Sequence, residues 1–558
     1  MVAMKGNKAI AKALAQNGVE YIFGICGTSV AGFLSALGKE KGIKYIVARH
    51  ERSAGSMADG YARASGKVGV CQMHSGPGTL NGMLSIVDAY RDSSPVVLLA
   101  GQVARKYIGR EIFGEANQVA VLKPYTKACE RIEEVSHIPK IINEAFHMAR
   151  SGRPGPVMIE MPEDIYDEKG EVEDAFPVAS SIPSISPPII QETAERLLNA
   201  ERPVILAGGG VIWANACEPL KYIAEMLQIP ITTTQNGRGC FPEDHPLALG
   251  VSGWYGGNSI ADDALEDADV ILGVGCSFSS LTTYNFTMPL KGDIIHINIE
   301  PSVLGRNVAC KSKIIGDANT ALLELIRVLD SKDLGRKASN WIETLMQKKQ
   351  GWIKQIEAEM ESENTPIKPQ RLMKDIQKTI PKESIVLNGA GLHHLFTTIY
   401  LQRYYPRTYI SAVNLGSMGF AFPAALGAKA ACPEVPVICL IGDGDFMMSL
   451  PDLETAVRNG FNVITVILNN FGYYAPKRFQ QLNFGTDFGN DYTNPDFAKV
   501  AADFGAIGRT VEKPSEIMEL LKEAMICEKP TVIDVRIDSS IIPAMNMKAA
   551  SRLRGLKA

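Results

Sequence analysis

"VICLIGDGDFMMSLPDLETAVRNGFNVITVILNN", residues 437–470, holds two apolar runs, each closed by small or polar residues. "VICLI" and "NVITVIL" are short and rich in β-branched residues, the pattern of strands buried on both faces of a parallel sheet. Between them Ser449 followed by Pro451 marks a helix start and Gly460 a stop, which completes a strand–helix–strand unit. Asp443, set between Gly442 and Gly444, and Asn470, 27 residues later, then stand at the carboxyl ends of two parallel strands, the edge where open α/β sheets bind ligands. The glycines let the backbone turn tightly and approach a phosphate, and a carboxylate with an amide oxygen are the hard ligands that Mg²⁺ takes beside phosphate oxygens. A Gly-Asp-Gly tripeptide alone is more often a surface turn; the spacing across one β-α-β unit is what points to a site.

The same alternation runs outward along the chain. "PVVLLAG" (95–101), "PVMIEMP" (156–162), "PVILAGG" (203–209), "VILGVG" (270–275) and "DIIHINI" (293–299) are further short apolar runs separated by stretches of helical period. Two interruptions divide it: the Pro- and Ser-rich "FPVASSIPSISPP" (176–188), read as a linker, and the charged stretch 331–364, read as a helical connector. The expectation is three doubly wound α/β domains with parallel sheets, at 1–175, 189–330 and 365–545. With 558 residues, 46% of them hydrophobic, the chain has ample material for several cores. A net charge of −4 without blocks of like charge gives no footprint for nucleic acid or an acidic membrane, which leaves small molecules and other copies of the chain as partners. The ten cysteines form no Cys-x-x-Cys pair and no zinc spacing, as expected of reduced thiols in a cytoplasmic protein. The N-terminal "MVAMKGNKAIAKALAQNG" reads as an amphipathic helix rather than a signal peptide, and no window approaches the roughly 20 apolar residues of a membrane span.

The Gly-Asp-Gly…Asn-Asn spacing resembles the signature of the thiamin-diphosphate-dependent 2-oxo acid decarboxylases and carboligases, and the likeness extends along nearly the whole chain, most of all toward acetolactate synthase large subunits. It implies a pyrimidine-binding first domain, a central domain and a diphosphate-binding third domain. By that resemblance Asp443, Asn470 and the carbonyl of Gly472 hold Mg²⁺, and Gly442, Gly444 and Asp445 belong with them to the diphosphate site. "ARHERSAGSMADGYARASGK" (48–67) places Glu51 ahead of a helix of small residues. Alone, Glu51 is an acid in a first helical turn, favoured by the helix dipole. The matching family residue bonds N1′ of the aminopyrimidine and helps remove the proton from the thiazolium C2. The small residues after it suit a close-packed interface. "LGSMGFAFPAALGAKAA" (415–431) is similar to the segment whose hydrophobic residue, here Met418, bends the cofactor. The family is a homodimer at minimum and commonly a homotetramer.

In the central domain, "RPVILAGGGVIWANACEPLKYIAEML" has Gly208 and Gly210 of a dinucleotide fingerprint but Trp213 in place of its third glycine. The charged segment of flavin-binding relatives is replaced by "GCSFSSLTTYN", so FAD is allowed but not expected. The first domain points two ways on substrate. Thr28 in "FGICGTSVAGFL" and His74 in "QMHSGPGTLNG" match a substrate-binding Ser and an active-site His of benzoylformate decarboxylase, whereas "SGPGTLN", "GRGCFPEDHPLALG" and "NPDFAKVAADFGA" resemble acetolactate synthase. The Phe-Gln-Glu motif of the synthases is Phe113-Gly114-Glu115 here. His74 serves equally as a structural histidine beside a glycine-rich turn. The resemblance implies decarboxylation of a 2-oxo acid followed by joining of the acyl carbanion to a second carbonyl. Simple decarboxylation or C–C lysis of a 2-hydroxyacyl-CoA-type substrate is the alternative within the class. A non-catalytic relative is the alternative outside it, disfavoured because Glu51, Asp443 and Asn470 are all retained.

Overall fold

The computed structural model describes residues 2–173, 185–256, 258–331 and 340–541. The proposed linker 176–188 lies largely outside the described residues, as do the start of the connector and the basic tail 551–558. All seven apolar runs named above are strands of parallel sheets: β5 (Val96–Gln102), β7 (Val157–Pro162), β9 (Pro203–Ala207), β12 (Val270–Val274), β13 (Asp293–Asn298), β17 (Val437–Gly442) and β18 (Ile464–Asn469). β5 and β7 are buried along their whole length, as strands covered on both faces must be.

The first sheet adds β2 (Tyr21–Gly24), β3 (Lys44–Val47), β4 (Gly69–Met73) and β6 (Cys129–Arg131), and its order is β3-β2-β4-β5-β7-β6. The third sheet adds β15 (Ile385–Asn388), β16 (Tyr409–Ile410), β19 (Ile507–Val511) and β20 (Thr531–Arg536), in the order β16-β15-β17-β18-β20-β19. Numbered within each domain the two orders are identical, so the outer domains share one winding. The central sheet, with β10 (Ile231–Thr233), β11 (Ala248–Val251) and β14 (Ser312–Ile315), runs β11-β10-β9-β12-β13-β14. That is the strand order of dinucleotide-binding sheets, although the glycine fingerprint is incomplete. The connector contains a helix at Asn340–Glu359.

Two local readings change. The N-terminal helix spans Gly6–Gln16, and Val2–Lys5 ahead of it is a strand, β1, paired antiparallel with β8 (Lys169–Val172). In the 437–470 unit, the Gly-Asp-Gly stretch opens a one-turn helix, Asp443–Met447, before the expected helix begins: a 3₁₀ turn at Leu450–Asp452 with Ser449 as its cap leads into Leu453–Asn459, which Gly460 ends in the left-handed region at φ 65°.

Helix Glu51–Ser65 of the first domain lies against helix Ala421–Ala431 of the third. The approach is reciprocal: a Cβ on Gly60 would strike the carbonyl of Ala424, and one on Gly427 the carbonyl of Met57. The small residues therefore do form an interface, within the chain. Arg63 secures it, with its guanidinium 2.7 Å from Asp59 and 3.4 Å from Asp92 while it donates to the Ser411 carbonyl at 2.8 Å. Asn236 of the central domain donates to Asp92 at 2.9 Å, so one buried ionic knot ties all three domains, each charge paired as burial requires.

Candidate active site

The carboxyl edge of the third sheet opens into a cavity of about 450 Å³ lined by Met418, Gly442, Asp443, Gly444, Asp445, Asn470 and Gly472. Asp443 is 2% exposed and accepts hydrogen bonds from the Phe471 N–H at 2.9 Å and the Asn494 amide at 2.7 Å. Burial raises its pKa and these donors oppose the rise, so the carboxylate is held but not fully compensated. Phe471 follows Asn470 at φ 58°, a left-handed conformation that costs a bulky residue on the order of 1–3 kcal/mol. The turn sets Asn470 and Gly472 on the same cavity, and the Arg536 guanidinium sits over the Phe471 ring at 4.8 Å.

Asp445 has a different task. It is buried, accepts from the Ala390 N–H at 2.8 Å and from the Gly419 N–H, and so braces the loop carrying Met418 against the end of β15. Burial pushes its pKa up to about 7 against those two donors. His393 also lines this cavity, a residue that the sequence reading passed over. A Cβ on Gly442 would come within 3.3 Å of its ring, and burial pushes its pKa down to about 4, which keeps the ring neutral. Its signal was position alone: it follows the glycine turn at the carboxyl end of β15.

A diphosphate with Mg²⁺ fits these residues. The donors are a carboxylate, an amide and a carbonyl, all oxygens, and among the described residues no group of three or more His, Cys, Asp or Glu could hold an ion alone, so phosphate oxygens would have to complete the coordination. The wall is also cut to glycine, because a Cβ on Gly444 would lie 2.6 Å from the Tyr473 ring.

Glu51, His74 and Thr28 do not line that cavity; they gather at the carboxyl edge of the first sheet. Glu51 opens its helix and accepts from the Asn81 amide at 3.2 Å. A Cβ on Gly78 would lie 3.5 Å from the Glu51 carboxylate and 3.0 Å from the Cβ of His74, so the two side chains flank one glycine. Thr28 is exposed at the start of a short 3₁₀ turn, while its neighbour Ser29, 3% exposed, places its hydroxyl 2.6 Å from Nδ1 of His74. Phe113 is 99% exposed, and a Cβ on Gly76, in the turn after His74, would lie 2.5 Å from the Gly114 carbonyl.

A second cavity, of about 340 Å³, lies where the central domain meets the other two, lined by Gly209, Gly210, Trp213, Asn298, Arg153 and Arg407 among others. Ser277, Ser279, Leu281 and Thr282 of the uncharged segment face it too. No described helix is long and apolar enough to cross a membrane.

Three family models match in chain order: "Thiamine pyrophosphate enzyme, N-terminal TPP binding domain" at residues 4–121, the "central domain" at 190–325 and the "C-terminal TPP binding domain" at 389–535. Among curated relatives, a "Probable acetolactate synthase large subunit" of Methanococcus aeolicus is 38% identical over 564 residues, covering 96% of this chain and 92% of the relative. One of the same description from Methanocaldococcus jannaschii is 38% identical over 552 residues, with the same coverage. The "Acetolactate synthase large subunit" of Haemophilus influenzae is 33% identical over 550 residues, covering 97% and 96%.

Proposed function

The chain belongs to the thiamine pyrophosphate enzymes, and from its likeness to acetolactate synthase large subunits along 96–97% of its length we propose that it decarboxylates a 2-oxo acid and joins the acyl carbanion to a second carbonyl. The observation that carries this reading is the single cavity on which Met418, Asp443, Asn470 and Gly472 meet. Bound thiamin diphosphate would supply a nucleophilic C2 for the 2-oxo carbon and a cationic thiazolium ring as the sink for the electrons left by departing CO₂. Asp443, Asn470 and the Gly472 carbonyl would hold Mg²⁺ against the diphosphate, Gly442 and Gly444 would let the backbone approach it, and Met418 would pack beneath the bend of the cofactor. Glu51 would hold the proton that N1′ needs for C2 to lose its own.

Because Glu51, at the carboxyl edge of the first sheet, does not line the cavity that Asp443 lines, the working site is proposed to combine the first domain of one chain with the third domain of another, in a homodimer at minimum and a homotetramer as the fuller assembly. Exposed apolar side chains at Leu80, Leu84, Met447 and Met448 support a covering partner. The placement in the cytoplasm and the division at 1–175, 189–330 and 365–545 belong to the same proposal.

Counting CO₂ against substrate tests the reaction. Supplied with thiamin diphosphate, Mg²⁺ and pyruvate, the protein should release one CO₂ for every two 2-oxo acids consumed and yield a branched 2-hydroxy-3-oxo acid. One CO₂ per 2-oxo acid, with an aldehyde as product, would establish the simple decarboxylase, the reading that His74 beside Glu51 favours. Flavin is not proposed as a resident cofactor, because the segment 277–282 brings no charge to the central cavity. The purified protein should show no visible flavin band after gel filtration; one flavin per chain would reverse this.

A further inference from the structure

The hydrogen bonds around Ser29 decide which nitrogen of His74 carries the proton. The Ser29 hydroxyl oxygen accepts from the N–H of Ser75 at 3.0 Å and lies 2.6 Å from Nδ1 of His74, with both Ser29 and Ser75 buried. A hydroxyl has one hydrogen to give. If Nδ1 carried a proton and donated to Ser29, the serine hydrogen would have no acceptor among the described residues, and a buried donor left unmet is costly. If Ser29 donates to an unprotonated Nδ1, every group at the junction is satisfied. The neutral ring then carries its proton on Nε2, which has no partner among the described residues.

The ring has little freedom to choose otherwise. A Cβ on Gly27 would lie 2.5 Å from its Cγ and Nδ1, and one on Gly78 would lie 3.0 Å from its Cβ, so two glycines clamp its base. Its carbonyl accepts from the Thr79 hydroxyl at 3.1 Å and the Thr79 N–H at 3.0 Å, which anchors the backbone from the helix that follows. His74 is partly exposed, and with Nδ1 engaged by Ser29 the ring nitrogen left for a ligand is Nε2; Glu51 flanks the same Gly78 that the base of His74 packs against.

We propose that Ser29 is a positioning residue that locks His74 in the Nε2-protonated tautomer, so that His74 meets the substrate as a hydrogen-bond donor. The substrate group that it would take is an acceptor oxygen, the carboxylate or the carbonyl of a 2-oxo acid, with the bond strengthening as negative charge develops on the carbonyl oxygen. The substrate half of this proposal rests on the thiamin-dependent reading; the tautomer half does not.

Ring ¹⁵N resonances of the full-length protein labelled at histidine, with His74 assigned by difference against His74→Gln, test it with and without thiamin diphosphate and Mg²⁺. Expected are an Nε2-protonated His74 in the unsubstituted protein under both conditions, a mixed tautomer in Ser29→Ala, and restoration in Ser29→Thr, which keeps the hydroxyl. In the loaded enzyme, Ser29→Ala should lower kcat roughly tenfold while KM for the 2-oxo acid moves less than about twofold, the mark of a contact made mainly in the transition state. A merely structural Ser29 would lower the unfolding midpoint without moving the tautomer. An Nδ1-protonated ring in the unsubstituted protein, or an unchanged tautomer in Ser29→Ala, would overturn the proposal. Since the ring signal is read without cofactor as well, failure to bind thiamin diphosphate would remove the cofactor reading while the tautomer assignment stood or fell by its own result.

Discussion

Asp443→Ala is expected to weaken binding of Mg²⁺ and thiamin diphosphate as a pair by roughly 100-fold or more, because even loss of an outer partner of a bound ion costs about 10–100-fold. Asp443 is the single carboxylate among the three proposed ligands, so the charge it sets against a divalent ion cannot be replaced by Asn470 or by a carbonyl. The buried side chain is held by the Phe471 N–H and the Asn494 amide, and both donors also reach Asn469 Oδ1, at 3.4 Å and 3.0 Å, so the alanine variant takes one acceptor from each and leaves the other. Asp443→Asn separates the two effects: it keeps an acceptor oxygen for those donors and removes the charge. Calorimetric titration of each component at a fixed level of the other, beside unfolding midpoints, reads the result. Affinity equal to that of the unsubstituted protein in both variants would move the metal elsewhere.

The second large effect belongs to Glu51→Gln, which should slow hydrogen–deuterium exchange at C2 of the bound cofactor by roughly 10²–10⁴-fold, the range of a lost acid–base group. Glutamine still offers an oxygen to the Asn81 amide, so the start of helix Glu51–Ser65 should persist and the cofactor should still bind. The loss would therefore be one of proton handling alone. Mixing Glu51→Gln chains with Asp443→Ala chains tests the shared site as well. In a two-fold dimer with free exchange of subunits, about a quarter of all sites would hold both native residues, and a matching fraction of activity should return. Unchanged C2 exchange in Glu51→Gln would remove the residue from the mechanism, and no recovery on mixing under demonstrated exchange would place both groups in one chain.

The strands were legible because a strand covered on both faces must be apolar along its length, and runs such as "PVVLLAG" and "VICLI" have no other reading at that length. The candidate site's edge was legible because glycines mark it in the sequence: a Cβ on Gly444 would lie 2.6 Å from the Tyr473 ring, and Gly460 ends its helix in the left-handed region at φ 65°. What escaped depends on partners remote in sequence. Nothing in "VAMK" announces pairing with Lys169–Val172. The small residues after Glu51 predict a close neighbour without naming it, and the neighbour is Ala421–Ala431 of the same chain. Thr28 and Ser29 are both hydroxyl residues one position apart, and only the turn decides that Ser29 faces inward to His74. The central sheet takes the dinucleotide order although Trp213 fills the third glycine position. Helix Gly209–Trp213 is a single turn, so it never runs along the strand where that glycine would be needed.

The glycine-to-carbonyl packing of Gly60 on Ala424 and of Gly427 on Met57 leaves no slack between the first and third domains. Each chain thus carries its Glu51 edge and its Asp443 cavity at a fixed separation, like the two prongs of one plug. If two such chains meet about a two-fold axis as proposed, both composite sites would close in the same event, and neither could close without the other. Sites would then be gained and lost in pairs. On dilution below the dissociation constant of the pair, total activity should fall with the square of the chain concentration, while the activity of each surviving dimer stays constant.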